Sequence, residues 1–447
     1  MSMGKRKDYQ GELLITPSDL PTGKGHVFYE QLNDFLAEHE FDKQLEELCR
    51  EYYDDGLQGG RPSLPPGVYF RMNFIGFFEG IASSRGIAWR CQDSLSLRRF
   101  LGIPITHNTP DHSTLSYLRQ RFPISLHEQV MGMILSIATQ KKLLHGKQLI
   151  VDSTLVKANA AMETIKNKHT GESYGKYLKR LAEKDGLVDP KANELRNYDK
   201  KRPDKSCSNE DWESPSDPDA RITKMKDKTT HLAYKVEHAV DVESGMIVTA
   251  SVYGATESDS RTLVKTLEDA QINLVRGGSD TEVSEVVADK GYFSNDTLEE
   301  CEELDVRTYI SEKKPGGGRS TFKWVDKDLE QEERFRKNRL HVRSEKGKEL
   351  MKKRGELVER SFAHVCETGG GRRCFLRGKE NVQKRHLLLA MAFDLGVMMR
   401  KLFKMGTPRG LQGLMGCGVY AVTLWWRLTL CWSNRFQPLL RVAIVAA

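Results

Sequence analysis

The stretch Val286-Val287-Ala288-Asp289-Lys290-Gly291-Tyr292-Phe293-Ser294 decides the fold. Two β-branched residues carry an extended backbone to Asp289, and Lys290-Gly291 turns it toward a short acidic helix beginning near Asp296. In α/β folds a carboxylate at the carboxyl end of a strand faces the crevice where ligands bind. Gln148-Leu149-Ile150-Val151-Asp152-Ser153-Thr154 has the same form and presents Asp152. Two strand-borne aspartates, with a helix-borne glutamate downstream, point to a site for divalent metal and phosphate.

Outward from these strands, residues 233–242 and 245–252 read as a hairpin about Val242-Glu243-Ser244-Gly245. A helix over 262–270, a strand over 284–289, a helix over 298–304 and a strand over 306–310 complete an α/β fold with a mixed sheet. The polar stretch 164–230 reads as a long mobile insertion with a helix at 173–183. A second insertion, 313–346, begins at Gly316-Gly317-Gly318, which lacks the GK[ST] of a phosphate cradle and is a loop. Residues 344–366 form a basic helix, and 383–402 a helix packed through Leu387, Met391 and Leu395.

Upstream of Gly146 every segment reads as helical. Residues 25–60 repeat Phe28, Leu32, Phe35 and Leu36 at helical spacing as one amphipathic helix. Pro65-Pro66 opens a second helix, 67–83, that is apolar nearly all round and therefore buried. A helix–turn–helix pattern follows, with a short basic helix at 94–101 and a helix capped by Asp111 that runs to Phe122. Leu115 and Leu118 point inward, while Ser113, Ser116, Arg119, Gln120 and Arg121 face out. A DNA-contacting helix and an ordinary hairpin with a solvated face both fit this pattern.

The 447 residues hold two or three domains. Lys and Arg number 69 against 62 Asp and Glu, and the net charge of +7 suits a polyanionic partner without requiring one. Eight scattered cysteines form no CxxC pair, which excludes zinc-site spacing and a secreted disulfide framework and makes a reducing cytoplasm the expectation. No apolar signal core follows the basic start, so export is not expected. Leu414 to Trp432 is nearly as long as a membrane span, but Arg427 and several small residues interrupt it. A buried terminal helix or an unrelated tail is the preferred reading there.

The helix-borne glutamate is Glu359, which shares a stripe with Lys352, Gly355, Phe362, Ala363 and Cys366. Small residues on that stripe would let the helix approach a sheet and bring Glu359 beside the strand ends. Phosphoryl transfer on DNA needs two hard cations about 3.5–4 Å apart, and oxygen ligands suit Mg²⁺, with Mn²⁺ possible. Each carboxylate also has an ordinary reading, as a turn or cap residue for the aspartates and as a lysine partner for the glutamate. Glu349 and Glu356 compete with Glu359 on the same helix.

VDSTLVKANA (151–160), HLAYKVEHAVDVESGMIVTA (231–250), VVADKGYFS (286–294) and KKRGELVERSF (352–362) together resemble DDE transposases of bacterial insertion sequences, the IS-four/IS-five-like group. GRPSLPPGVYFRM (60–72) and TPDHSTLSYLRQRF (109–122) resemble that group's helical leader, and DPDAR (217–221) a segment of some members. The resemblance covers about residues 25–400. It implies an RNase H-like core at 146–402, preceded by an all-helical DNA-binding region at 1–145 and followed by a tail at 403–447. It further implies a Mg²⁺-dependent two-metal mechanism with Asp152, Asp289 and Glu359 as catalytic and metal-binding triad. Its partners would be terminal inverted repeats and target DNA, bound by a homodimer on paired ends in the nucleoid-associated cytoplasm. Arg119, Arg121, Lys290, Lys352, Lys353, Arg354 and Arg360 are the expected DNA ligands. The chain departs from the family's helix motif where Met351 stands in place of Tyr, Arg354 lies five before Glu359, and Cys366 replaces a Lys. A catalytically inactive DNA-binding relative or repressor, and a host nuclease with the same core, remain the other readings.

Overall fold

The computed structural model describes residues 26–53, 64–202, 208–312 and 329–410. Its first part is a helical leader of α1 (Val27–Glu38), α2 (Phe41–Cys49), α3 (Pro66–Glu79), α4 (Ser84–Gln92), α5 (Leu95–Phe100), α6 (His112–Arg121) and α7 (Ile124–Gln140). The single helix expected over 25–60 is two helices, broken where Glu40 takes a left-handed φ of 49°. No Gly or Pro marks that break. Helix α3 is buried on every side, as its composition requires, and ends at Gly80 with φ 69°.

Arg71, on α3, locks the leader together. Its guanidinium is buried, donates to both Asp42 oxygens (3.1 and 2.6 Å), to Asn33 (3.0 Å) and to the Phe100 carbonyl (2.9 Å), and lies over the Phe100 ring. One side chain thereby joins α1, α2, α3 and α5.

The sheet begins with β1 (Gln148–Lys157), three residues longer than the stretch from Gln148 to Thr154 that signals it. The segment after it is packed, contrary to the mobile insertion expected at 164–230. It holds β2 (Lys166–Asn167), α8 (Tyr174–Lys184), α9 (Ala192–Lys201), β3 (Trp212–Glu213) and β4 (Arg221–Lys224). Ile165, Tyr174, Leu178, Trp212 and Ile222 close a separate apolar cluster against Tyr234 and Val236 of β5 (Thr230–Asp241). These apolar residues are few and far apart in sequence, so no window of composition signals them.

The remaining elements are β6 (Ile247–Gly254), α10 (Asp259–Arg276), β7 (Glu285–Ala288), α11 (Asn295–Glu303), β8 (Arg307–Ile310), α12 (Leu329–Arg343), α13 (Glu345–Phe362) and α14 (Lys379–Phe403). The main sheet runs β4-β5-β1-β7-β8, with β6 beside β5. β5 is antiparallel to β1 and to β6, whereas β1, β7 and β8 are parallel. Helix α12 fills part of the expected 313–346 insertion, and its buried Asn338 both donates to and accepts from the backbone of Ile310. The Gly316–Gly318 run and the apolar stretch 414–432 lie outside the described residues; among those described, no helix is long and apolar enough to cross a membrane.

An exposed edge on β6 would invite pairing with another chain. Side chains close it instead. Gln383 of α14 accepts from Val252 N–H and donates to the Ala250 carbonyl, both at 2.6 Å, Asn273 of α10 donates to the Val248 carbonyl, and Asp394 accepts from Ile247 N–H. The DPDAR segment anchors the same helix. Asp217 accepts from Gly378 N–H (3.0 Å) and the Tyr234 hydroxyl, and Asp219 accepts from Lys379 N–H (2.9 Å), at the positive end of α14.

Gln383→Leu strips two β6 backbone groups of their partners at once. A stability loss of roughly 1–3 kcal/mol is expected in urea denaturation, and an unchanged midpoint would contradict the edge-capping role.

Candidate functional site

Register places the two aspartates. The parallel pairing of β1 with β7 ends at Val151 opposite Ala288, so the next position on each strand sets Asp152 beside Asp289. Side chains alternate between faces of a sheet. Ile150 and Val287, two positions back, lie in the cluster formed with Leu350 and Val358 of α13, so both aspartates face that helix.

Asp289 ends its strand and caps a short 3₁₀ turn, accepting from Lys290 N–H at 2.7 Å. Asp152 accepts from Ser153 N–H at 2.8 Å. From α13, Arg354 reaches across to both, 3.3 Å from Asp152 and 3.9 Å from Asp289. Burial pushes the Asp152 carboxyl above its ordinary range, and Asp289 adds to that shift, while Ser153 N–H and Arg354 oppose it. A half-buried carboxylate pair that draws in a guanidinium is a site for positive charge.

Opposite Asp152 on β5 stands His238, wholly buried, 3.2 Å from the Ser361 hydroxyl and stacked on Phe362 at 4.3 Å. Burial pushes its imidazole down to about 3, so it is neutral and serves packing. Glu359, one turn before Phe362, is exposed and makes no ion pair or side-chain hydrogen bond among the described residues. No three His, Cys, Asp or Glu side chains converge on a metal position among the described residues. The structure therefore brings Asp152 and Asp289 together and leaves Glu359 outside the pair. Four residues after it the helix widens into a π turn, Ala363–Thr368, a feature that often marks functional sites.

The expected DNA ligands fall into distinct places. Lys290 and Lys352 are exposed with no ion pair among the described residues. Lys353 is paired with Glu349 (3.0 Å) and Arg360 with Glu356 (2.6 Å), so Glu356 is a surface ion-pair partner. Arg354 belongs to the aspartate pair. In the leader, Arg121 lies over the rings of Tyr53 and Tyr117, at the edge of the exposed face of α6. Arg119, expected on that face, is buried beside the Tyr69 hydroxyl instead. Met351 packs into the cluster beneath the aspartates, and Cys366 is buried, its thiol pushed up to about 11 by burial.

A second polar cluster lies on the reverse face of the sheet, unforeseen from sequence. Ser153 donates to Asp259 at 3.0 Å, Lys235 donates to Thr262 at 2.8 Å, and Thr262 donates to Glu237 at 2.7 Å. The charged pair Lys235 and Glu237, two apart on a largely apolar strand and so on one face, could have signalled it. A strand buried on both faces cannot leave such charges unpartnered.

Comparison with known proteins finds two matching families. A family described as Transposase domain (DUF772) matches residues 18–121, and one described as Transposase DDE domain matches residues 145–395. Among curated proteins, none matches the chain.

Burial pushes the Glu237 carboxyl up to about 7, against the pull of Lys235. The groups facing it are Lys235 on its own strand, Asp259 and Thr262 on α10, Tyr253 on β6 and Tyr292 after β7. Its folded pKa lies above the unfolded one, so the folded state holds an extra proton between about pH 4.5 and 7. Stability from this group is full below that window and is lost as pH rises through it. Glu237→Gln should flatten this loss between pH 5 and 7 in urea denaturation; an identical pH dependence in both proteins would contradict it.

Proposed function

The chain belongs to the DDE transposase family, whose members cut and join DNA, and from that premise we propose that it is an insertion-sequence transposase acting at terminal inverted repeats through Asp152, Asp289 and Glu359. The observation that carries this reading is the β1–β7 register, which sets Asp152 beside Asp289 with Arg354 between them. The sheet supports an RNase H-like core: three antiparallel strands, β6-β5-β1, extended on the far side of β1 by two parallel ones, β7 and β8.

Members of this family use divalent metal ions, and the residues present fit one. Two hard oxygen donors, already bridged by a cationic group, suit Mg²⁺ or Mn²⁺, which bind through one or two carboxylates and keep much of their water. Asp152 and Asp289 would hold the ion, with Glu359 recruited from the exposed end of α13. Such an ion supplies positive charge at the attacking and leaving oxygens of the phosphodiester.

The chain's own residues do the rest. Arg354 neutralises the aspartates, and with an ion held there its guanidinium would be free to meet a phosphate in bidentate fashion. Lys290 and Lys352 stand on the surface as further phosphate contacts, which would make binding strongly salt-dependent. Arg121, held by two tyrosine rings, offers the leader's contact at the edge of α6. Joining two element ends calls for a homodimer, in the nucleoid-associated cytoplasm where the repeats lie.

A second reading rests on Glu359 standing apart and on Cys366 being buried at the position where the resemblance implies a Lys. It is a DNA-binding relative that no longer cuts. Duplex DNA carrying the flanking repeats separates the two. With Mg²⁺ the transposase reading expects nicking at the repeat end, falling by roughly 100–1,000-fold in Asp289→Ala and markedly in Glu359→Gln, with repeat binding retained. Repeat binding without cutting in any of the three proteins would leave the second reading.

A further inference from the structure

The ladder between β1 and β7 stops one residue short of the aspartates, at Val151 and Ala288. Beyond that point no backbone hydrogen bond of the pair holds Asp152 and Asp289 at a fixed separation. A side chain stands at this gap on the reverse face. Asp259, the first residue of α10, accepts from Ser153 Oγ at 3.0 Å and from Lys235 Nζ at 3.2 Å, both on Oδ1. Its other oxygen, Oδ2, lies against the turn that follows Asp289, where a Cβ on Gly291 would come within 2.5 Å of it. One carboxylate thus touches the residue directly after Asp152 and the turn directly after Asp289.

The brace is itself held rigidly. Lys235 is buried and also donates to Thr262 at 2.8 Å, and Thr262 donates to the wholly buried Glu237 at 2.7 Å. Thr262 lies one turn along α10 from Asp259, so helix and strand β5 together fix the acceptor. Ser153 points away from Asp152 across the sheet, and Asp259 therefore acts from outside the carboxylate crevice. We propose that Asp259 is a positioning residue that sets the spacing of Asp152 and Asp289 from behind the sheet, with Ser153 and Gly291 as its two points of contact. The proposal rests on the reading of those aspartates as a metal pair.

Outer partners of this kind typically change metal affinity 10–100-fold. The test is Mn²⁺ titration of the full chain by electron paramagnetic resonance, with circular dichroism and the metal-free thermal midpoint followed alongside. Asp259→Ala is expected to weaken Mn²⁺ binding by tenfold or more and Gly291→Ala, which pushes on Oδ2, by a similar amount. Asp259→Asn keeps an acceptor for Ser153 and should recover most of the loss, and Ser153→Ala added to Asp259→Ala should cost nothing further. Mn²⁺ binding within twofold of the parent in Asp259→Ala and Gly291→Ala, with binding abolished in Asp152→Ala, would overturn the brace and leave the metal pair standing. Unchanged binding in Asp152→Ala would overturn the metal pair and the brace with it. Should Asp259→Ala fail to fold, Gly291→Ala and Ser153→Ala carry the comparison.

Discussion

The parallel register between β1 and β7 is the constraint on which the rest depends. A slip of one residue would turn Asp152 to the opposite face of the sheet, toward α10. Burial on both faces prevents that slip. Ile150 and Val287 are packed under α13, while Leu149, Val151, Val286 and Ala288 enter the main core on the other side. The apolar contacts that stabilise the sheet are the same contacts that aim the carboxylates. Fold and site are specified by one set of side chains.

Two carboxylates side by side at the strand ends of a buried sheet repel each other, and burial disfavours charge on Asp152. The raised Asp152 carboxyl records that conflict, and Arg354 offsets it. A cation-hungry pair on one face is backed by a closed polar cluster on the other, with the strands between them. Helix α13 carries both Arg354, which reaches the pair, and Glu359, which does not. The π turn beginning four residues after Glu359 is the local irregularity nearest to it. Helix α14 meanwhile seals the opposite edge of the sheet with Gln383 and Asp394, so the sheet is closed on one side and open for chemistry at its strand ends.

Much of this was legible in the sequence because it is local. Val286 to Asp289 and Leu149 to Asp152 announce strands ending in carboxylates, and the apolar surface of 67–83 announces a buried helix. What was not legible depends on contacts between distant residues. Arg119 looks exposed on a helical wheel, yet the partner that buries it is Tyr69, fifty residues earlier in sequence. The insertion after β1 looked mobile because Ile165, Tyr174 and Trp212 form a core only when folded onto β5. The break at Glu40 carries no Gly or Pro, and Asp259 is one acidic residue among many until the sheet places it behind Ser153. Arg354 was expected only as a DNA ligand on a basic helix, and its contact with two carboxylates became visible once the register of β1 and β7 set them in its reach.

The measurement that tests the central claim most directly is anomalous diffraction from crystals of the protein soaked in Mn²⁺. The account predicts a strong peak between Asp152 and Asp289, within bonding reach of a carboxylate oxygen of each, with the Arg354 guanidinium withdrawn from its position beside them. A peak held by other side chains, or an Arg354 that stays bridged to both aspartates at saturating Mn²⁺, would contradict it.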